Sequence, residues 1–114
     1  MPYASSYHGG TDWPARAFLI ARLNFCSVFS YVYILRSISD GKLYAGCTND
    51  LRRRLREHNA GASFATRLRV PLRLIYYEAH LNRQDAERRE QFFKTGWGRR
   101  YIKRVLYYYL RAKI

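Results

Sequence analysis

The most constraining feature of the sequence is a pair of strand-like segments joined by a tight-turn signal. Residues 30–37 (SYVYILRS) and 42–48 (KLYAGCT) are rich in β-branched and aromatic side chains, which favour strands. Between them, Asp40-Gly41 is typical of a β-hairpin turn. Gly46, inside the second segment, predicts a bulge or the close approach of another backbone. The sequence therefore predicts a hairpin that brings several tyrosines together.

A short, strongly basic helix is predicted directly after this hairpin. Thr48 or Asn49 is expected to cap its N-terminus, because a short polar side chain there satisfies a free backbone N–H. The helix runs to about Asn59, and Gly61 ends it.

The remainder of the chain predicts one more strand and two more helices. Residues 60–71 form a basic loop, 72–78 a strand and 82–94 a helix, which TGWG (95–98) breaks before a basic helix over 99–113. The order β-β-α-β-α-α predicts a small α/β (α+β) domain. Its three-stranded sheet, mixed or antiparallel, is flanked by helices.

The first 29 residues predict an N-terminal extension outside this domain, which spans 30–114. Turn-forming residues without periodicity indicate a partly flexible segment. Thr11 or Asp12 is expected to cap a short helix that starts near Pro14. A chain of 114 residues fits one domain of this kind.

The charge balance indicates a polyanionic partner, since 21 lysines and arginines stand against 8 acidic residues for a net charge of +13. Nucleic acid is favoured over an anionic membrane surface or a structural role in a ribonucleoprotein, because neutralising phosphates releases counterions. No apolar run is long enough for a membrane span, and the segment 17–29 does not resemble a signal peptide. Cys26 and Cys47 are too few for a disulfide framework or a four-ligand zinc site. We therefore expect a cytoplasmic protein.

The first helix carries arginines around an apolar stripe. Leu51 and Leu55 lie four residues apart and are expected to face the sheet, with Arg54 and His58 flanking them. Because burying an unpaired charge is costly, Arg54 either reaches over the sheet edge toward an anionic group or lays its aliphatic stem along apolar surface. The other arginines of this helix predict a solvated basic face: Arg52, Arg53 and Arg56.

Glu90 stands beside a predicted core position, Phe93, in a chain with few acidic residues. A lone carboxylate can hold one Mg²⁺ whose remaining ligands are waters and a substrate phosphate. The alternative, which spacing alone favours, is an ordinary helix ion pair with Arg89 or Lys94.

Tyrosine is unusually frequent, with 11 residues, and Tyr31, Tyr33 and Tyr44 fall in the hairpin. Most strand tyrosines pack against neighbours. A phenol in a cleft can also orient or deprotonate a water molecule. Spacing leaves both interpretations open.

Taken together, these motifs resemble the GIY-YIG endonucleases. YVY (31–33) and, eleven residues after Tyr33, YAG (44–46) resemble the paired motif of that family. The segment 47–59 (CTNDLRRRLREHN) resembles the helix after the second motif. RREQFFKTGWGRR (88–100) resembles the later part of the small single-domain YhbQ-like (UPF0213) branch. The resemblance covers residues 30–104 and identifies 30–114 as a GIY-YIG-like nuclease domain.

The resemblance implies an enzyme that hydrolyses DNA phosphodiester bonds with one divalent metal ion, Mg²⁺ or Mn²⁺. Gly46 matches the structural glycine of the second motif. The catalytic residues of the family fall on five positions of this chain, the last of which is the metal ligand: Tyr33, Tyr44, Arg54, His58 and Glu90.

In the implied mechanism, Glu90 holds the metal against the scissile phosphate, and Tyr33 acts as a base or orients the attacking water. Tyr44 and Arg54 bind the charge that develops on the phosphate. His58 assists proton transfer or orients Tyr44. Flanking phosphates are expected to contact basic residues that position the nucleic acid without reading its sequence: Arg52, Arg53, Arg56, Arg67, Arg69, Arg99, Arg100 and Lys103.

Three departures from the family pattern are visible. Tyr31 stands where the first motif has its leading glycine, which the YhbQ-like branch tolerates. Ala45 replaces the usual larger aliphatic residue. The segment 95–104 has no equivalent of the late asparagine that many members carry.

The sequence thus predicts a structure- or lesion-directed endonuclease acting on branched, single-stranded or damaged DNA, with RNA as a further candidate partner. Low sequence specificity is expected because no separate DNA-reading domain is present. The alternative is a non-catalytic nucleic-acid-binding module on the same fold. If Glu90 pairs with Lys94 and points away from Tyr33 and Arg54, the enzyme interpretation fails.

Overall fold

The computed structural model describes residues 29–112, and a three-stranded sheet forms the centre of this region. Its strands are β1 (Ser30–Ser37), β2 (Leu43–Thr48) and β3 (Leu72–His80), in the order β2-β1-β3. Both pairings are antiparallel, so the α+β class is confirmed and a mixed sheet is excluded. Four helices complete the described part of the chain: α1 (Leu51–Asn59), α2 (Arg83–Phe93), α3 (Gly96–Val105) and α4 (Tyr107–Arg111).

The predicted hairpin turn is confirmed. Gly41 has a φ of 74°, which a residue with a side chain rarely adopts. Its backbone N–H donates to the carbonyl oxygen of Ser37 at 2.8 Å, and the Asp40 carboxylate accepts from the backbone N–H of Lys42 at 2.8 Å. The turn therefore sets the register of β1 against β2.

The N-cap prediction for α1 was wrong, since Asp50 and not Thr48 or Asn49 caps the helix. The Asp50 carboxylate accepts from the backbone N–H of Arg53 at 3.1 Å. The Thr48 hydroxyl instead accepts from the backbone N–H of Asp50 at 3.1 Å and thereby shapes the approach to the cap. The end of the helix near Gly61 is as predicted.

The C-terminal helices also differ from the prediction. TGWG does not simply break the chain, because Thr95 caps α3 and the next three residues form the first helical turn. The Thr95 hydroxyl accepts from the backbone N–H of Gly98 at 3.1 Å. The single helix predicted over 99–113 is interrupted at Leu106, which has φ −101° and ψ 35° and separates α3 from α4.

Because side chains alternate in direction along each strand, the core consists of two clusters, one on each face of the sheet. One, here called the α2 face, packs α2 and α3 on the sheet through Val32, Ile34 and Phe93. The other, the α1 face, buries Tyr33 and Leu35 of β1 with Leu72, and residues of β2 and α1 pack against them: Tyr44, Leu51 and Leu55. The prediction that the two leucines of α1 face the sheet is confirmed.

Some predictions fall outside the described residues, namely the helix near Pro14 and the state of Cys26. Within residues 29–112, no helix is long and apolar enough to cross a membrane.

Candidate active site

Tyr33 and Gly46 face each other across β1 and β2. The Tyr33 phenol lies over the glycine so closely that a Cβ atom at position 46 would overlap its ring and hydroxyl group. The pairing of β1 with β2 is regular here, and the irregularity of the sheet lies between Ile34 and Leu35, opposite β3. The bulge predicted at Gly46 is therefore absent. The close neighbour is a side chain rather than a backbone.

The Tyr33 hydroxyl continues into a buried chain of hydrogen bonds, which we call the relay and define as Tyr33, His58 and Thr66. The hydroxyl lies 2.9 Å from Nε2 of His58, and Nδ1 of His58 lies 2.6 Å from Oγ1 of Thr66. His58 and Thr66 are fully buried, and Tyr33 is 2% exposed. Because a neutral imidazole donates from one nitrogen and accepts at the other, both hydrogen bonds run in one direction along the chain.

The environment keeps the relay uncharged. Burial raises the pKa of Tyr33 to about 12, the adjacent Arg54 guanidinium opposes this rise, and the negative charge of Glu90 adds to it. Burial and the positive charge of Arg54 hold the pKa of His58 below its ordinary value. At neutral pH the relay therefore consists of a phenol, a neutral imidazole and an alcohol.

Arg54 and Tyr44 complete the group on the α1 face. The Arg54 guanidinium interacts with the Tyr33 hydroxyl, which raises the arginine pKa, and donates to the Glu57 carboxylate at 3.0 Å. Its side chain is 31% exposed, so one part covers the site while another faces solvent. The Tyr44 ring meets His58 edge-on, with 5.3 Å between ring centroids. Arg54 thus pairs with an internal anion, Glu57. Its exposed part can also reach an anionic group outside the protein, as its position in the sequence suggested.

Glu90 lies on the other side of β2 from this group, in a cleft of about 400 Å³ at the junction of β2 and α2. Its carboxylate is 3.1 Å from the Lys94 ammonium group, the helix pair that spacing favoured, and its side chain is 18% exposed. Across the sheet, its negative charge makes a small contribution to the raised pKa of Tyr33, after those of burial and of Tyr44. The structure therefore brings four predicted residues together and places Glu90 across the strand, without direct contact.

The cleft offers oxygen atoms of the kind that Mg²⁺ prefers. Besides Glu90 it is lined by Glu87, Thr48 and Asn49. Within residues 29–112, no cluster of three or more His, Cys, Asp and Glu side chains forms a metal cage. The donors fit a Mg²⁺ ion held by one or two carboxylates, with water and substrate oxygens as the other ligands.

The predicted nucleic-acid-binding residues differ in their surroundings. Arg67 stacks on Phe64 and Arg100 on Trp97, with 4.6 Å and 4.5 Å from guanidinium to ring centroid. Arg69 is largely buried, with 25% of its side chain exposed, and its Nε lies 3.5 Å from the Asp40 carboxylate, which ties the basic loop to the hairpin. The others are exposed: Arg52, Arg53, Arg56, Arg99 and Lys103.

Comparison with known protein families shows to which family this chain belongs. The GIY-YIG catalytic domain matches residues 29–101, well over half of the chain. The chain belongs to the GIY-YIG family. It is therefore a member of a family of nuclease domains, as its motifs suggested.

Curated relatives of this GIY-YIG protein carry the name UPF0213. The UPF0213 protein of Streptococcus agalactiae serotype V is 47% identical over 66 residues, which are 57% of this chain and 74% of that protein. The UPF0213 protein of Bacillus pumilus is 45% identical over 71 residues, 61% of this chain and 70% of that protein. That of Haloquadratum walsbyi is 44% identical over 68 residues, 59% and 75% of the two chains. No solved structure gives a significant match.

Two residues of this GIY-YIG site escaped the sequence reasoning. Thr66 lies eight residues after His58 in a loop without periodicity, so nothing in the spacing brings it to the imidazole. Glu57 was visible as an i+3 neighbour of Arg54, a spacing that permits a helix ion pair.

Proposed function

We propose that this chain is a divalent-metal-dependent endonuclease that hydrolyses DNA phosphodiester bonds. The observation that carries the proposal is the meeting of Tyr33, Tyr44 and Arg54 on the α1 face, with Glu90 in the cleft on the other side of β2. We further propose a structure- or lesion-directed substrate, such as branched, single-stranded or damaged DNA, low sequence specificity and a cytoplasmic location.

Arg54 is the residue that binds the phosphate in this proposal. Its guanidinium combines a fixed position beside Tyr33 with partial exposure, and its positive charge stabilises the negative charge that grows on the phosphate oxygens. Glu57 holds the guanidinium in place and limits its mobility. Tyr44, half-buried beside His58, supplies a second hydrogen-bond donor to the phosphate.

Tyr33 orients the attacking water as a neutral phenol. With a pKa of about 12, only about one molecule in 10⁵ would carry a Tyr33 phenolate at pH 7. A general base present in that proportion contributes little, whereas a neutral hydroxyl fixed by His58 can hold a water molecule in one orientation. The family resemblance left two roles open for Tyr33, general base or orientation of the attacking water. The small fraction of phenolate favours orientation of the water.

Glu90 is the proposed ligand of the metal ion, with water and substrate oxygens completing the shell. When bound, Mg²⁺ or Mn²⁺ supplies Lewis-acid stabilisation of the charge on the phosphate and the leaving oxygen. The ion pair with Lys94 does not prevent this role. An i,i+4 pair on a helix surface is worth only about 0.3–0.5 kcal/mol, and the lysine is 47% exposed.

The same ion pair supports a second candidate function, a nucleic-acid-binding module without catalysis. In that case Glu90 serves only to stabilise α2, and the exposed cations bind DNA or RNA phosphates.

Cleavage assays on branched and single-stranded DNA with Mg²⁺ or Mn²⁺ separate the two functions. We expect metal-dependent cleavage by the unmodified protein and a loss of about 1,000-fold in Glu90→Gln, because the Lewis-acid contribution amounts to several kcal/mol. Asp85→Asn removes a negative charge from an exposed position of α2 that does not line the cleft and is expected to cost less than about threefold. Tight binding without cleavage, unchanged in Glu90→Gln, would establish the binding module instead.

A further inference from the structure

A second cavity, here called the basic cavity, lies at the opposite end of the β1–β2 hairpin from Glu90. It measures about 480 Å³ and lies between the hairpin and the last two helices, α3 and α4. Arg36 at the end of β1 lines it together with three further cations, Lys103, Arg104 and Arg111, and none of its lining residues is acidic. Four positive charges around one cavity repel one another unless an anion lies among them.

The cations of the basic cavity have no acidic partner within residues 29–112. Arg89 shows how this fold treats an arginine that has one. Its guanidinium donates to both oxygens of Glu78, at 2.9 Å and 3.0 Å. Arg89 is thus satisfied by an internal acid, which the cations of the basic cavity lack. Within residues 29–112, Arg69 also has buried nitrogens without a hydrogen bond, Nε and Nη2, but it lies beside an acid, Asp40.

Arg36 carries an unfilled hydrogen-bond donor. In the described part of the chain, its Nη1 atom is buried and meets no acceptor, and the same holds for the hydroxyl group of Tyr109. The two side chains are neighbours, since the Arg36 guanidinium lies 5.7 Å from the centre of the Tyr109 ring. A buried donor without an acceptor costs free energy, and an anionic oxygen would remove that cost.

We propose that the basic cavity binds a backbone phosphate of the nucleic acid, several nucleotides away from the bond that is cut. That the cavity binds a phosphate does not depend on the proposed function. Only its separation from a bond that is cut rests on the proposed function. Guanidinium groups match the geometry of phosphate oxygens, and the four cations supply the charge. The site is separate from the exposed arginines of α1 and from the relay.

The path along the β2 edge favours a nucleic-acid phosphate over a free one. A middle cavity lined by Lys94 and Arg99 shares Leu43 with the basic cavity, so positive side chains continue from near Glu90 to Arg36. From Thr48 to Leu43 the edge is about 17 Å long at roughly 3.4 Å per residue. That length corresponds to about five nucleotides of one strand of B-form DNA.

The test compares Arg36→Gln with Arg73→Gln. Arg73 is the cross-strand partner of Arg36 on β3, is exposed, and does not line the basic cavity, so its substitution is a matched loss of charge. Binding of a fluorescent single-stranded DNA of about twelve nucleotides is measured in EDTA over a series of salt concentrations, so that the result does not depend on cleavage.

We expect Arg36→Gln to weaken binding about tenfold and to reduce the slope of log affinity against log salt by about 0.7, the value for one phosphate contact on a single strand. Arg73→Gln should change affinity less than about twofold and leave the slope unchanged. Arg104→Gln, at an exposed position of the same cavity, repeats the test if Arg36→Gln does not fold. Equal effects of Arg36→Gln and Arg73→Gln, or an unchanged slope in Arg36→Gln and Arg104→Gln, would overturn the proposal.

A second arm distinguishes the backbone from a free phosphate. Thermal melting is measured in inorganic phosphate and in chloride at equal ionic strength. Phosphate stabilisation that is lost in Arg36→Gln, combined with unchanged DNA affinity, would assign the cavity to a free phosphate and overturn the backbone assignment. A protein that binds DNA through Arg36 but does not cut it would refute the proposed function and leave the phosphate-binding part of this inference standing.

Discussion

The two sides of β2 treat polar groups in opposite ways. On the α1 face, Tyr33, His58 and Thr66 form a chain of buried, neutral groups joined by internal hydrogen bonds. On the other side, Glu90 lines an open cleft and pairs with the half-exposed Lys94. The difference separates two tasks. Buried neutral groups hold one geometry, whereas a carboxylate in an open cleft can exchange its partner for a metal ion.

Gly46 lies against the Tyr33 phenol on the α1 face, and its substitution is expected to have the largest of the effects on stability predicted here. In Gly46→Ala the new Cβ would overlap the Tyr33 phenol, whose Cε2 atom is only 2.9 Å from that position. We expect a loss of about 3 kcal/mol in the free energy of unfolding, the upper range for overpacking, measured by urea denaturation.

Gly96→Ala is the matched control for this substitution. Its Cβ would meet only the Arg100 side chain, at 3.8 Å, so stability should stay within about 0.5 kcal/mol of the unmodified protein. Tyr33→Leu in the Gly46→Ala background should recover part of the loss. Equal losses in both glycine variants would show that the Tyr33 contact is not the cause.

Thr66 tests whether the α1 face depends on complete hydrogen bonding. Thr66→Val keeps the shape of the side chain but leaves Nδ1 of His58 without a partner inside a fully buried site. We expect a loss of about 1–3 kcal/mol in urea unfolding and slower DNA cleavage. Thr66→Ser retains the hydroxyl group and should stay closer to the unmodified protein. Equal losses in the two variants would mean that packing, and not the hydrogen bond, matters at this position.

The pH dependence of stability gives the smallest and most specific test of the comparison. Burial lowers the pKa of His58 in the folded protein, so below about pH 6.5 the unfolded chain takes up a proton that the folded chain does not. Its contribution to stability is therefore complete above that pH and is lost as the pH falls toward the folded pKa. We expect the free energy of unfolding to fall as the pH is lowered from about 7.5 to about 5.5, and to fall less in His58→Gln. The same pH slope in both proteins would contradict a neutral, buried His58.

The hairpin was predictable because local signals determine it. Asp40-Gly41 sets the turn, and the turn places Tyr33 opposite Gly46, so the alternation of side chains puts the motif residues on one face. The helical spacing of Leu51, Leu55 and His58 likewise predicted which side of α1 meets the sheet.

Other features depend on contacts that spacing does not encode. Thr66 reaches His58 through a loop, and Arg36 stands out only when the C-terminal helices place its guanidinium among other cations. The cap of α1 was misplaced by one or two residues, because three consecutive polar residues compete for it and only the backbone decides which side chain reaches Arg53. The break at Leu106 has no glycine or proline to announce it.

The central claim, that the two sides of β2 form one phosphodiester-cleaving site, is tested most directly by a double-mutant cycle on DNA cleavage with Tyr33→Phe and Glu90→Gln. If both groups act on the same transition state, each single variant should lose most of the activity, and the double variant should be no slower than the slower single one. Losses that multiply, or cleavage by Tyr33→Phe at the unmodified rate, would contradict a single site.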